Sequence, residues 1–156
     1  MKMVFNPRGR LLFAIVALTI LLWQTSADLA AHESSEILTG VDVAGATAKS
    51  ARAGEDTTVH FALENLSGTD LMLVGARSEV ASTGALVLSV PGLPPEDVDV
   101  FMILDQESLD FGSSHIRIEL RGLQQDLLDG DVASMELLFR QGTVPLRMDV
   151  HGKTLH

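Results

Sequence analysis

The sequence contains no cysteine, and its basic residues are few beside its acidic ones. Without cysteine there can be no disulfide, no thiolate metal site and no cysteine nucleophile. Any soft-metal chemistry must therefore use methionine and histidine, of which the chain has six and five. The 11 Lys and Arg against 21 Asp and Glu give a formal net charge of -10. Because such a chain repels phosphate backbones, we expect no nucleic-acid partner.

Catalytic signatures are also missing. Serines are plentiful, but none stands in a Gly-x-Ser-x-Gly turn, and there is no phosphate-binding loop. The sequence also has no internal repeat, no low-complexity segment and, past the amino-terminal segment, no amphipathic helical pattern of ordinary length. We therefore predict that the protein is not an enzyme.

The amino-terminal segment has the composition of a signal peptide. Lys2, Arg8 and Arg10 form a basic region, and residues 11–23 follow as a largely apolar run. A spanning helix needs about 20 apolar residues, so this run is short for a permanent anchor. We predict export to the periplasm or cell envelope as a secreted protein, with no membrane contact in the mature form. An uncleaved amino-terminal anchor is the alternative.

Two cleavage positions fit the sequence and set the domain boundaries. Cleavage after Ala27 gives a signal peptide of residues 1–27, and cleavage after Ala31 gives one of residues 1–31. Residues 28–36 are polar and aperiodic, which is typical of a flexible lead-in. The predicted boundaries are the lead-in, one domain over residues 37–151, and a tail over residues 152–156.

The predicted domain contains segments that alternate between apolar and polar residues and are separated by turn residues. Such alternation over short spans is the mark of half-buried strands. About seven to eight strands at this spacing indicate an all-β sandwich or barrel. Residues 48–56 read as a loop, and residues 123–128 are compatible with a helical turn. The predicted strands are residues 37–46, 57–65, 71–76, 85–90, 98–104, 115–121, 134–139 and 144–150, with a polar bend at residues 77–79.

Residues 108–131 organise the second half of the domain. A Gly-centred turn at residues 111–114 leads into a strand in which Ile116, Ile118 and Leu120 alternate with polar side chains. His115 is thereby predicted at the mouth of this strand, facing away from the apolar set. A histidine in that place can bind a metal, or it can simply hydrogen-bond the turn that it ends.

The order of several short motifs resembles the periplasmic copper chaperone family PCu(A)C. In the first half these are Leu63-Glu64-Asn65, Ser67-Gly68, Asp70-Leu71-Met72-Leu73 and Val74-Gly75-Ala76-Arg77-Ser78. In the second half they are Phe111-Gly112-Ser113-Ser114-His115, Gly122-Leu123, Leu127, Gly130-Asp131 and residues 135–139. The resemblance implies a small Greek-key β-sandwich, cupredoxin-like in fold. It also implies a copper chaperone whose partner is a copper-acceptor or envelope protein, and which assists copper delivery to a respiratory oxidase.

The copper ligands that the resemblance implies are mostly replaced. The family binds Cu(I) with a His-Met pair, a further Met and a closing His-x-Met, a soft set suited to this ion. In this sequence the pair falls on Ser89 and Val90, and the closing Met falls on Arg117. His115 and Met102 remain as the implied copper contacts, although Met102 is also an ordinary packing residue. Because Arg117 opposes a second cation, the resemblance implies a degenerate and weak site.

Other candidate metal-binding residues have simpler interpretations. His60 lies on the predicted polar face of its strand, and three aspartates after residue 125 lack the calcium-loop spacing. His32 would chelate copper only if cleavage made it the amino-terminal residue. The remaining candidates are His151 and His156 near the carboxyl end and the aspartates Asp126, Asp129 and Asp131.

Two functions follow from these observations. The first is an exported, copper chaperone-like protein with a degenerate copper site. The second is a metal-free β-sandwich that meets a protein partner through its acidic surface or an exposed edge.

Overall fold

The alternating segments form β-strands throughout residues 36–152, the part of the chain that the computed structural model describes. No helix occurs within this range, and so none there is long and apolar enough to cross a bilayer. The predicted signal peptide, nearly all of the lead-in and residues 153–156 lie outside the described residues. The ten strands are β1 (Val41–Lys49), β2 (Thr57–Asn65), β3 (Leu71–Arg77), β4 (Ala81–Leu88), β5 (Glu96–Val98), β6 (Phe101–Ile103), β7 (Ser108–Asp110), β8 (Ile116–Leu123), β9 (Val132–Phe139) and β10 (Gly142–His151).

β2 shows how the sequence pattern produces these strands. Val59, Phe61 and Leu63 are buried, while the residues between them are half-buried or exposed. Successive side chains of a strand point to opposite faces, so this alternation places one face of β2 in the core. The predicted bounds of this strand, residues 57–65, are those of the structure.

Strand pairing closes the domain into a barrel. The hydrogen-bonded order β4-β8-β2-β1-β10-β9-β3 is completed by a pairing of β3 with β4. β1 and β10 run parallel, whereas the other neighbours are antiparallel. β9 and β10 form the predicted hairpin, joined through Arg140 and Gln141. The prediction of an all-β, cupredoxin-like sandwich is confirmed.

Three further strands, each three residues long, pair with strands of this barrel. The single strand predicted over residues 98–104 is in fact two: β5 pairs with β4, and β6 pairs with β3. β7 pairs with β2, in a stretch for which no strand was predicted. The predicted count was too low because a three-residue strand contains too little alternation to be recognised.

Two predictions about segments between strands were wrong: the start of the loop over residues 48–56 and the helical turn over residues 123–128. β1 continues to Lys49 because Ala48, which is buried, pairs with both Val59 and Val150. Residues 123–128 form no helical turn: Leu127 is buried and bridges Ala51 through two backbone hydrogen bonds. In both places residues far away in the sequence supply the hydrogen bonds, and the local sequence pattern does not predict them.

The core lies inside the barrel and includes a residue of the predicted Gly-centred turn. Phe111 is buried and stacks on Phe61, with ring centroids 4.4 Å apart. Stacked aromatic pairs add about 0.5–1.5 kcal/mol beyond the area that they bury. The turn that carries His115 is therefore anchored to the core by its first residue.

Candidate functional site

The ends of β4 and β8 bring three of the sequence-predicted positions together. The backbone N–H of Ser89 donates to the carbonyl oxygen of His115 at 2.7 Å. Arg117 lies opposite Val87 in the antiparallel pairing of the two strands. The side chain of His115 is exposed, in the orientation that the alternation of β8 predicts. The replaced position Ser89 is thus a direct neighbour of His115.

Arg117 is held by a carboxylate on its own strand. Its Nε and Nη2 atoms donate to Glu119 Oε1 at 2.9 and 2.7 Å. The other oxygen of Glu119 accepts from Arg121 at 3.1 Å, and Arg121 in turn donates to Asp97 at 2.7 and 2.8 Å. Hydrogen bonds from Arg121 lower the pKa of Asp97, and the two carboxylates raise the pKa of Arg121. A fixed cation therefore stands where the resemblance implies a thioether.

Met102 lies in another part of the sheet. It is 53% exposed on β6 and directly opposite Met72 of β3. Opposite residues in an antiparallel pair have Cβ atoms about 4.5–5.5 Å apart, so these two methionine side chains are neighbours. β6 pairs with β3, whereas β8 pairs with β2 and β4. The strand pairing thus joins Met102 to Met72 and does not join it to His115.

A polar cleft of about 230 Å³ adjoins the 111–115 turn. The turn is held by Asp110, whose carboxylate accepts from the Gly112 N–H at 2.8 Å and from the Ser113 hydroxyl at 2.7 Å. These bonds, chiefly that from Ser113, lower the pKa of Asp110. The cleft is lined by Lys49, Thr58, His60, Ser89, Phe111, Gly112, Ser114 and Arg117.

His60 and Lys49 are the residues of this cleft whose place the sequence did not reveal. The polar face predicted for His60 is correct, but the residue is half-buried and lies against Gly112. Lys49 belonged to a predicted loop and is instead the last residue of β1. Both residues are brought to the cleft by the pairing of β1 and β2, and the local sequence pattern does not predict that pairing.

The aspartates after residue 125 accept hydrogen bonds from backbone N–H groups. Asp126 accepts from Ala53 N–H, Asp129 from Gly152 N–H and Asp131 from Leu128 N–H, all at 2.7–2.8 Å. Across residues 36–152, no group of three or more His, Asp or Glu side chains is arranged to hold a metal ion. His151 is exposed on β10, and His32 and His156 lie outside the described residues.

Solved structures with a similar fold include two PCuAC domains and Cu(I)-DR1885. The copper-bound PCuAC domain from PmoF2 is 14% identical with a TM-score of 0.63, covering 76% of this chain and 98% of that domain. The apo PCuAC domain from PmoF1 is 13% identical with a TM-score of 0.64, covering 76% and 99%. Cu(I)-DR1885 from Deinococcus radiodurans is 23% identical with a TM-score of 0.59, covering 81% and 85%. No protein-family model and no curated protein matches the sequence.

The fold of residues 36–152 is therefore similar to that of the PCuAC domains. At these identities the likeness establishes the fold alone. The donor set decides whether copper fits, and the positions that the resemblance implies as ligands here are the imidazole of His115, the hydroxyl of Ser89 and the guanidinium of Arg117. A hydroxyl is a hard ligand and a guanidinium carries no free lone pair, so neither replaces a thioether for Cu(I). These residues do not supply the His and Met set that the resemblance implies.

Proposed function

We propose that the protein is an exported, copper chaperone-like binding protein of the periplasm or cell envelope. In this proposal His115 and Met102 are its remaining copper contacts, although they lie on elements that no strand pairing within residues 36–152 joins directly. Its cargo is Cu(I), and its partner is a copper-acceptor protein of the envelope. The observation that supports this proposal is the PCuAC fold with His115 at the mouth of β8. Delivery to a respiratory oxidase is the finer proposal, and it rests on the resemblance alone.

The chemistry of such a site follows from its ligands. An imidazole and a thioether are both suited to Cu(I), but two ligands leave the ion open to competitors. Arg117 adds repulsion, and its pairing with Glu119 weakens that repulsion without removing it. We therefore expect a weak site that loses copper readily.

The alternative is a metal-free interaction module. Two apolar side chains on and beside the edge strand β6 are more than half exposed: Met102 and Leu104. Exposed apolar residues grouped at one edge are more common at protein contacts than on inert surfaces. In this alternative Met102 contacts a partner protein, and no residue of the domain binds copper.

A competition titration with a Cu(I) chelator separates the two functions. We expect the wild-type protein to retain Cu(I) only against a weak chelator. His115→Ala should weaken binding by at least about tenfold, because losing even a residue that only supports a ligand has an effect of about this size at metal sites. His151→Ala is the matched control, because His151 is also an exposed histidine at a strand end.

Intact-mass analysis of the envelope fraction tests the export part of the proposal, and it should show a chain that begins at Asp28 or His32.

Two results would reject this proposal. Equal losses in His115→Ala and His151→Ala would mean adventitious binding, and no binding at all would favour the interaction module. Tight stoichiometric binding that His115→Ala abolishes would keep the function but reject the weak site, and Met72 would be the first additional ligand to test.

A further inference from the structure

The cleft beside the 111–115 turn has a charge opposite to that of the protein. The chain carries 21 acidic and 11 basic residues, yet the ionisable residues that line the cleft are Lys49, His60 and Arg117. No aspartate or glutamate is among its described lining residues. A basic concavity on an acidic surface attracts anions locally, because walls of low dielectric focus the field.

The two carboxylates nearest the cleft are already engaged. Asp110, which lies near His60, accepts hydrogen bonds from Gly112 and Ser113 within the turn. Glu119 is shared between Arg117 and Arg121. Neither is available to neutralise Lys49, which has no carboxylate within 4.0 Å among residues 36–152.

Hydrogen-bond donors around the cleft are also free. The hydroxyls of Thr58 and Ser89 have no hydrogen-bond partner within the described residues, and the bonds of Arg117 to Glu119 use Nε and Nη2 and leave Nη1. Lys49 and Thr58 are next in register after the paired residues Ala48 and Val59. An ammonium, a guanidinium N–H and two hydroxyls, all donors, therefore surround one small space.

We propose that this cleft binds a small tetrahedral oxyanion of the phosphate class, as the free ion or as the phosphate group of a small monoester. Charge-assisted hydrogen bonds from Lys49 and Arg117 supply the affinity, and the hydroxyls of Thr58 and Ser89 complete the coordination. The volume of about 230 Å³ is below the range of about 300–1,000 Å³ that drug-sized ligands need. This site is independent of copper, since neither His115 nor Met102 lines it.

A calorimetric titration with inorganic phosphate at low ionic strength tests the site. We expect saturable binding at one site per chain, weakened by added sodium chloride through screening. Lys49→Gln should raise the Kd about tenfold, the usual effect of losing one hydrogen bond to a charged group. Arg147→Gln is the matched control because Arg147 is an exposed cation of β10 outside the cleft, and it should leave the Kd unchanged.

A second variant separates a built site from general charge. Ser89→Ala keeps every charge and should still raise the Kd several-fold, since it removes one donor. Glycerol phosphate in place of inorganic phosphate distinguishes a monoester site, if it binds as well or better, from a free-ion site. Absence of saturable phosphate binding, or equal losses in Lys49→Gln and Arg147→Gln, would overturn the proposal. Thermal unfolding of each variant confirms that it is folded.

Discussion

At the scale of single residues, Asn65 fixes one end of the barrel. It is fully buried at the end of β2, and its side chain makes five hydrogen bonds. The two hydrogens of the amide nitrogen are shared among the carbonyl oxygens of Thr69, Leu104 and, at the longest distance of 3.3 Å, Ile103, while the amide oxygen accepts from the N–H and the hydroxyl of Ser67. One side chain thus ties β2 to the following turn and to the end of β6.

Asn65→Ala should lower the free energy of unfolding by about 3 kcal/mol or more, because it leaves buried backbone groups without partners. Urea denaturation measures the change. Glu64→Ala, an exposed position on the same strand, is the control and should change stability by less than about 0.5 kcal/mol. Similar stabilities for the two variants would mean that the bonds of Asn65 are replaced by water.

At the scale of elements, the closure between β3 and β4 depends on a glycine. The two strands pair at Ala76 and Gly84 alone. A Cβ atom on Gly84 would lie 2.5 Å from the carbonyl oxygen and 3.0 Å from the Cβ of Ala76. The absence of a side chain at residue 84 therefore lets the backbones approach closely enough to close the barrel.

Gly84→Ala should destabilise the protein by about 1–3 kcal/mol, the usual range for a forced overpacking of backbone against side chain. Thr83→Ala is the control, since Thr83 is the exposed neighbour on β4 and should cost less than about 1 kcal/mol. Both values come from the same urea series. If Gly84→Ala were as stable as Thr83→Ala, the two strands would have to separate freely at this point.

At the scale of the whole molecule, acidic residues outnumber basic ones, and two carboxylates have lowered pKa values. Asp97 is paired with Arg121, and Asp110 accepts hydrogen bonds from Ser113 and Gly112. A carboxyl group whose pKa is lower in the folded state adds stability above its ordinary pKa of 3.8, and this stability is lost as the pH falls through the folded-state pKa. Both groups are exposed, so the effect of each is small.

The stabilisation from these two groups should therefore be nearly constant above pH 5, and stability should fall as the pH drops below about 3.8. Urea midpoints measured from pH 7 to pH 2 give the profile. The double variant Asp97→Asn with Asp110→Asn should show a smaller fall over the same interval. A profile that these substitutions leave unchanged would assign the acid sensitivity to other carboxylates.

Local pattern in the sequence predicted much of this structure. The alternation of Val59, Phe61 and Leu63 determined β2 to the residue, and the apolar set of β8 determined that His115 faces outward. The order of the short motifs predicted the Greek-key class that the structure confirms. These features were predictable because a strand's two faces are encoded by neighbouring residues, independent of which strands it pairs with.

Tertiary structure alone decided the rest. β5, β6 and β7 are three residues long and exist only because longer strands offer them hydrogen bonds. The cleft combines Lys49 of β1, His60 of β2 and Arg117 of β8, and Met72 meets Met102 through the pairing of β3 with β6. Such contacts join residues far apart in the chain, so they depend on strand order and register. The local alternation of apolar and polar residues determines neither strand order nor register, because it is the same whichever strand lies alongside.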